Sequence, residues 1–375
     1  MADQAGRRGR AGLRSPGGRQ VRVAVVDDSP FMRAYLARLL EQSGRFEVVA
    51  AVGTGEALLD LLGSGLSVDV VTLDVEMPGM GGLECLRRVM RLHPTPVVML
   101  SAHTTRSSAV TLEALSAGAV DFVPKPERPV TAGSTFLEDL VVRLEQAARA
   151  PARTLQELAA RTLPAGKAAG QREERSPQAR RPAQRVIAIG ASTGGPRTLE
   201  IVMAGLDPGL PAAVLITQHM PPGFTASLAR RLDGLGLLPV HEAWEGAPLQ
   251  EGVAYVAPGG LHLTVDEDRH VHLDDGPPVH HVRPAVDVML ESVAARFGEE
   301  SLAVILTGMG SDGARGARAI KAAGGACIVQ EEGSCVVAGM PGSVLRAGLA
   351  DGAYPPERIA KEMLRWALQR ERREC

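Results

Sequence analysis

The stretch "VIAIGASTGGP", residues 186–196, decides how the chain is read. Five mostly apolar residues have the composition of a buried strand. They run into Gly190, Ala191, Ser192, Thr193, Gly194 and Gly195, and then into Pro196, which suits the first turn of a helix. A serine wedged among glycines at a strand-to-helix junction admits three readings: a phosphate cradle, a nucleophile elbow, or a tight turn that only needs small residues. The phosphate patterns fit poorly, because G-x-G-x-x-G has Ser at position 192 and G-x-x-x-x-G-K-[ST] lacks its Lys. The spacing Gly190-x-Ser192-x-Gly194 is that of a strained elbow displaying a serine hydroxyl above a sheet. Alone, such a match arises often by chance.

The surrounding pattern gives it context. Apolar runs recur after residue 186 at "AAVLITQ" (212–218), "VAYVAPG" (253–259), "LAVILTG" (302–308) and "ACIVQ" (326–330), separated by helical stretches such as "TASLARRL" and "ARGARAIKAAG". "LHLTVDEDRHVHL" (261–273) alternates with period two and predicts a hairpin, and "ERIAKEMLRWALQR" predicts a C-terminal helix. The same alternation occupies the first half: "VRVAVVDD" (21–28), "EVVAAVG" (47–53), "VDVVTLD" (68–74), "PVVMLSA" (96–102) and "DFVPKP" (121–126), closed by a helix at about 134–149. Continuous apolar strands with intervening helices predict parallel sheets covered on both faces. The expected organisation is a basic disordered tail (1–20), a doubly wound, flavodoxin-like α/β domain (21–148), a basic Pro/Arg/Ala-rich linker (149–184) with a helix around "TLQELAARTL", and a second doubly wound α/β domain with a β-hairpin (185–375).

Composition narrows the function classes. At 375 residues the chain is long for one domain, and 45% hydrophobic residues suffice for sizeable cores. Aromatics are only 3%, so those cores must rest on Ala, Val, Leu and Ile. A net charge of −2 argues against a nucleic-acid binder, although residues 1–22 hold six arginines against one acid, Asp3. Cys85, Cys327, Cys335 and Cys375 form no CxxC pair, which fits a reducing cytoplasm and neither a zinc site nor a disulfide framework. There is no secretory leader pattern and no run of about 18 apolar residues that would insert in a membrane.

In parallel sheets, ligands collect outside the carboxyl ends of the strands. In the second domain those ends lead to Ser192, to His219 in "QHMPPGF", and to Asp312 in "TGMGSDG". Nucleophile, general base and orienting acid form one inventory. Singly, His219 reads as an ordinary strand-end histidine and Asp312 as a helix cap; jointly they favour catalysis. His270, His272, His280 and His281 read as ordinary loop and hairpin residues, with no third group spaced for a metal. In the first domain the strand ends lead to Asp27 and Asp28, Asp74, Ser101 and Lys125. Three converging carboxylates repel one another and favour a hard divalent cation such as Mg²⁺; with a hydroxyl and an ammonium beside them, they suit an aspartate that accepts a phosphoryl group.

Two resemblances follow from these motifs. Residues 21–140 resemble response-regulator receiver domains, through Asp27–Asp28, Asp74 with "VEMPGM", "MLSA" with Ser101, and "FVPKP" with Lys125. This implies Asp74 as phosphoacceptor, Mg²⁺ held by Asp28, Asp74 and the Glu76 carbonyl, switch roles for Asp27, Ser101 and Lys125, and a cis Lys125–Pro126 bond. Residues 184–375 resemble the catalytic domain of chemotaxis protein-glutamate methylesterases/protein-glutamine glutaminases, through "IGASTGGP", "QHMPPGFTASLA", "APGGLHL", "VRPAVDVML", "TGMGSDGARG" and "GMPGSV" in that order. This implies Ser192, His219 and Asp312 as the triad, with Thr193 and the backbone of Met309 supporting the oxyanion and no cofactor for the ester chemistry. It further implies methyl-accepting chemotaxis receptors as substrate, a histidine kinase as phosphodonor, and an unphosphorylated receiver that covers the active site. A cytoplasmic monomer without nucleic-acid or membrane-inserted partners is expected. Gly81, where the family often has Asp, and the basic tail and linker depart from the pattern. The competing reading is a receiver-linked receptor-binding module with little or no hydrolysis.

Overall fold

In the computed structural model the described residues are 19–102, 105–126, 134–160, 180–235 and 238–369. Nearly all of the expected tail (1–20) and the central part of the expected linker (161–179) lie outside them.

The N-terminal half alternates β1 (Val21–Val26), α1 (Pro30–Gln42), β2 (Phe46–Val52), α2 (Gly55–Gly63), β3 (Val70–Asp74), α3 (Gly81–Leu92), β4 (Val97–Ser101), α4 (Thr105–Ser116), β5 (Asp121–Pro124) and α5 (Ser134–Ala147). The helix starts follow local chemistry. Ser29 accepts the N–H of Met32 ahead of Pro30, and Thr54 accepts that of Ala57, so each cap satisfies an otherwise orphaned donor. The five strands are parallel in the order β2-β1-β3-β4-β5. The order reverses between β1 and β3, which opens a crevice beyond their carboxyl ends. Those ends carry Asp27, Asp28 and Asp74. The expected linker helix is α6 (Ala152–Ala160).

The C-terminal half contains β6 (Val186–Ala191), α7 (Gly195–Ala204), β7 (Ala213–Gln218), α8 (Phe224–Asp233), β8 (Val240–Glu242), β9 (Ala254–Val256), the antiparallel hairpin β10 (His262–Val265) and β11 (Val271–Asp274), α9 (Val286–Phe297), β12 (Ser301–Ile305), α10 (Ala314–Ala322), β13 (Ala326–Gln330), α11 (Gly339–Arg346), β14 (Gly352–Tyr354) and α12 (Pro356–Leu368). Its sheet has seven parallel strands in the order β14-β13-β12-β6-β7-β9-β8. Every residue of β6, β7 and β12 is buried, as expected for strands covered on both faces. The switch point lies between β6 and β12, flanked by β7. These three neighbouring strands are the ones followed by Ser192, His219 and Asp312. The edge strands β8 and β14, three residues each, carry too little apolar pattern to be read from sequence.

Candidate active site

The elbow after β6 is shaped by close packing. A Cβ at Gly190 would lie 2.3 Å from Cγ1 of Val286, so the approach of α9 to the strand excludes any side chain there. Gly194 has φ +75°, a backbone that L side chains disfavour, and caps α7. Ser192 itself is not among the positive-φ residues, which outside glycine are Arg269, His280 and His281 among the described residues. The turn is taken up by Gly194, two residues on, and Ser192 remains an extension of the sheet, its N–H donating to Thr307 C=O at 3.0 Å.

Ala191 and Gln218 are register partners on β6 and β7, so Ser192 and His219 leave adjacent strands side by side. The N–H of His219 donates to Ala191 C=O at 3.1 Å, and the buried Gln218 amide donates to the carbonyls of Ser192 at 3.0 Å and His219 at 3.3 Å. The Nε2 of His219 lies 2.8 Å from Asp312 Oδ2. A carboxylate only accepts, so Nε2 is the donor in this contact. Among the described residues Ser192 Oγ makes no hydrogen bond to His219, a link that in hydrolases tightens with substrate. The N–H groups of Thr193 and Met309 donate to no described residue and remain available to a ligand.

Asp312 sits in a cradle absent from the sequence reading. Its Oδ2 also accepts the N–H of Val286 at 2.7 Å, and Oδ1 that of Asp287 at 2.8 Å, both at the start of α9. Asp287 does the reverse for α10: its Oδ1 accepts the N–H groups of Gly313 at 2.9 Å and Gly316 at 2.7 Å. Two buried aspartates thus cap each other's helices, placing both carboxylates at positive helix ends. Burial pushes the Asp312 carboxyl up, but the hydrogen bond and charge of His219, with the two N–H groups, outweigh it and hold it below the usual aspartate range. An acid that stays ionised at neutral pH suits an orienting role. Only the "VRPAVDVML" motif signalled Asp287. His280, read from sequence as an ordinary loop residue, has its Nε2 2.8 Å from Asp287 Oδ2.

In the other half, Asp27, Asp28 and Asp74 present oxygens within 4.8 Å of one another. Lys125 Nζ lies 2.7 Å from Asp27 Oδ2 and 2.7 Å from Asp74 Oδ2. Three hard carboxylates, two of them buried, fit a divalent cation of the Mg²⁺ type. Burial pushes the Asp74 carboxyl above its ordinary value despite Lys125. Burial opposes the Lys125 charge, but its bonds to Asp27 and Asp74 outweigh that and raise it. Glu76 donates its N–H to Asp74 Oδ1 at 3.2 Å, and Ser101 Oγ accepts from Thr111 at 2.7 Å. The cis bond expected at Lys125–Pro126 is not found: among the described residues Arg283–Pro284 is the cis peptide bond. The Lys125 N–H instead continues the strand by donating to Ser101 C=O at 2.7 Å, and its ammonium reaches both carboxylates from there.

Residues 23–132 match the family model described as response regulator receiver domain, and residues 187–363 match CheB methylesterase. The chain is 44% identical over 353 residues to a protein-glutamate methylesterase/protein-glutamine glutaminase of Symbiobacterium thermophilum, covering 92% of this chain and 97% of that one. A relative of the same name from Geobacillus kaustophilus is 44% identical over 345 residues, covering 91% of this chain and 97% of that one. This chain belongs to the CheB methylesterase family. The crystal structure of the Thermotoga maritima CheB methylesterase catalytic domain is 42% identical, covers 48% of this chain and 97% of that one, and aligns with a TM-score of 0.47. Among the described residues no helix is long and apolar enough to cross a membrane.

The family's two domains meet here through β5 and α4 of the receiver against Thr193, α7 and α8 of the methylesterase. Phe122 stacks on Phe224 with ring centroids 4.5 Å apart, both buried. Thr193, next to Ser192, donates its hydroxyl to Asp121 Oδ2 at 2.6 Å, and Arg143 lies 2.8 Å from the same oxygen. Ser116 donates to Glu200 Oε1 at 2.6 Å, and Arg197 and Arg231 pair with the same carboxylate. The receiver therefore lies against the residue following the serine.

Proposed function

We propose that the chain is a serine hydrolase that demethylates glutamate methyl esters and deamidates glutamines on chemotaxis receptors, with phosphorylation of its receiver raising the rate. The observation that carries this is the His219–Asp312 pair, 2.8 Å apart, at the strand end adjoining Ser192. Ser192 Oγ adds to the ester carbonyl carbon as its proton passes to His219 Nδ1. The carbonyl π pair moves to oxygen, where the N–H groups of Thr193 and Met309 meet the oxyanion. Collapse breaks the bond to methoxide, which leaves with the proton from His219 as methanol. Water then adds to the acyl-serine with His219 again as base, releasing the glutamate carboxylate and restoring Ser192. A glutamine side chain follows the same path and releases ammonia.

In the receiver, Asp74 is the proposed phosphoacceptor and a histidine kinase the donor. Asp28, Asp74 and the Glu76 carbonyl are the proposed Mg²⁺ ligands, and bound Mg²⁺ would neutralise the charge of the incoming phosphoryl group. Lys125 and Ser101 flank that position, and Asp27 anchors Lys125. The contact of Asp121 and Phe122 with Thr193 and Phe224 supports inhibition by the unphosphorylated receiver. The proposed organisation is a receiver over 21–148, a linker over 149–184 and a catalytic domain over 185–375, working in the cytoplasm.

The test is methanol release from methylated receptor membranes. Ser192→Ala is expected to lower turnover by roughly 10⁴–10⁶. Turnover by Ser192→Ala equal to that of the unaltered chain would overturn the assignment, and receptor binding without release would point to a binding module.

A further inference from the structure

The short loop between β11 and α9 contains an unusual turn. Val279 and Val282 exchange two backbone hydrogen bonds, of 3.1 and 3.0 Å. The two residues between them, His280 and His281, have φ of 54° and 64°. A two-residue turn with positive φ at both positions is ordinarily built from Asn-Gly or Asp-Gly, because a bulky Cβ is disfavoured there. Two successive histidines are a poor backbone choice, and strain of this kind collects at functional sites.

The side chain of His280 gives the turn a purpose. Its ring is 39% exposed, and Nε2 lies 2.8 Å from Asp287 Oδ2 and 3.9 Å from Asp312 Oδ1. Asp287 is fully buried, and its other oxygen is taken by the N–H groups of Gly313 and Gly316. A carboxylate oxygen accepts, so His280 must donate from Nε2. The remaining charged group facing Asp287 Oδ2 is Arg315 of α10, whose Nε is 3.9 Å away and is held by Glu291 of α9 at 2.6 Å. That separation exceeds a hydrogen bond. Among the described residues His280 is thus the one hydrogen-bond donor to Asp287 Oδ2.

We infer that His280 is a positioning residue for the hydrolytic reaction: it holds Asp287, which fixes the start of α9 whose N–H groups hold Asp312 against His219. The strained turn aims an imidazole at the far side of a two-aspartate, two-helix clasp, and the clasp sets the geometry of the acid. This deepens the triad reading and rests on it. Losing the donor leaves a buried carboxylate oxygen unpartnered beside the triad acid.

The test uses the full chain with a small phosphodonor and Mg²⁺, comparing His280→Leu and His280→Gln. The first readout is the rate at which a fluorophosphonate labels Ser192, which needs no receptor. The second is methanol release from methylated receptor membranes. His280→Leu is expected to slow labelling and kcat on the order of 10- to 100-fold and leave KM within about twofold. His280→Gln, whose amide reaches the same position, recovers most of the rate. Thermal melting checks that both variants fold. A folded His280→Leu chain with unchanged labelling and kcat overturns the inference, as does equal loss in both variants. Ser192-dependent labelling without methanol release would instead count against the receptor reading and leave this one standing.

Discussion

The molecule contains two buried aspartates at equivalent places, and they behave in opposite ways. Asp74 closes β3 and Asp312 lies in the loop after β12, each at the carboxyl edge of a doubly wound sheet beside its switch point. Asp312 accepts two backbone N–H groups and an imidazole N–H, and its carboxyl is held below the usual range. Asp74 accepts one backbone N–H and faces Lys125 alongside Asp27, and burial leaves its carboxyl above the usual range. One topology thus yields a satisfied anion bonded to an imidazole, and an under-satisfied anion suited to gain a cation and a phosphoryl group. The difference lies in where backbone amides point. Helix α9 aims its first N–H groups at Asp312, whereas no described helix start does so for Asp74.

That contrast can be broken by substitution. The largest expected effect is at Asp312→Asn, which removes the ionised acceptor from His219 and lowers kcat by about 10⁴, read by methanol release from the activated chain. A loss under tenfold would show that the acid is dispensable. Next is the seam between the halves. Truncating Phe122 to Ala removes its stack on Phe224, and weakening the contact by one or two kcal/mol would raise unstimulated turnover roughly 5- to 30-fold. Unchanged basal turnover would separate this contact from inhibition.

The smallest effects are on stability, and their signs are opposed. Asp74→Asn removes a carboxylate that burial disfavours and is expected to raise stability at neutral pH by up to about 1 kcal/mol. Asp312→Asn deprives buried donors of their anion and lowers stability by roughly 1–3 kcal/mol. Because the Asp312 carboxyl is depressed in the folded chain, its contribution is fully present above about pH 4 and is lost as pH falls through its folded value. Asp74 has the reverse sign, and its cost is relieved as pH falls. Denaturant melts along an acid series, with and without each substitution, measure both. The same sign for both residues would contradict the contrast.

Much of this architecture was legible because it is local. Apolar runs mark the strands, and in a parallel sheet the residue after each run points to one shared edge, so Asp27, Asp28, Asp74, Lys125, Ser192, His219 and Asp312 could be grouped before any distance was known. What escaped depends on distant contacts. Asp287 accepts from residues 26 and 29 positions away, and Thr193 meets Asp121 across 72 positions. His280 looked like loop filler because its partner lies at a helix start seven residues on, and only the fold shows that partner buried beside Asp312. The elbow was legible in composition, and its left-handed residue is one of the glycines, Gly194. The strands β8 and β14 are short edges held by neighbours, so their sequences carry little of the signal.

The central claim is that hydrolysis at Ser192 is controlled from Asp74. The direct measurement is methanol release from methylated receptor membranes by the full-length chain, with and without a small phosphodonor and Mg²⁺, beside the Asp74→Asn variant. The account predicts release that rises with phosphodonor in the unaltered chain and stays at the basal rate in Asp74→Asn. Equal stimulation of both chains, or no release from folded protein under either condition, would contradict it.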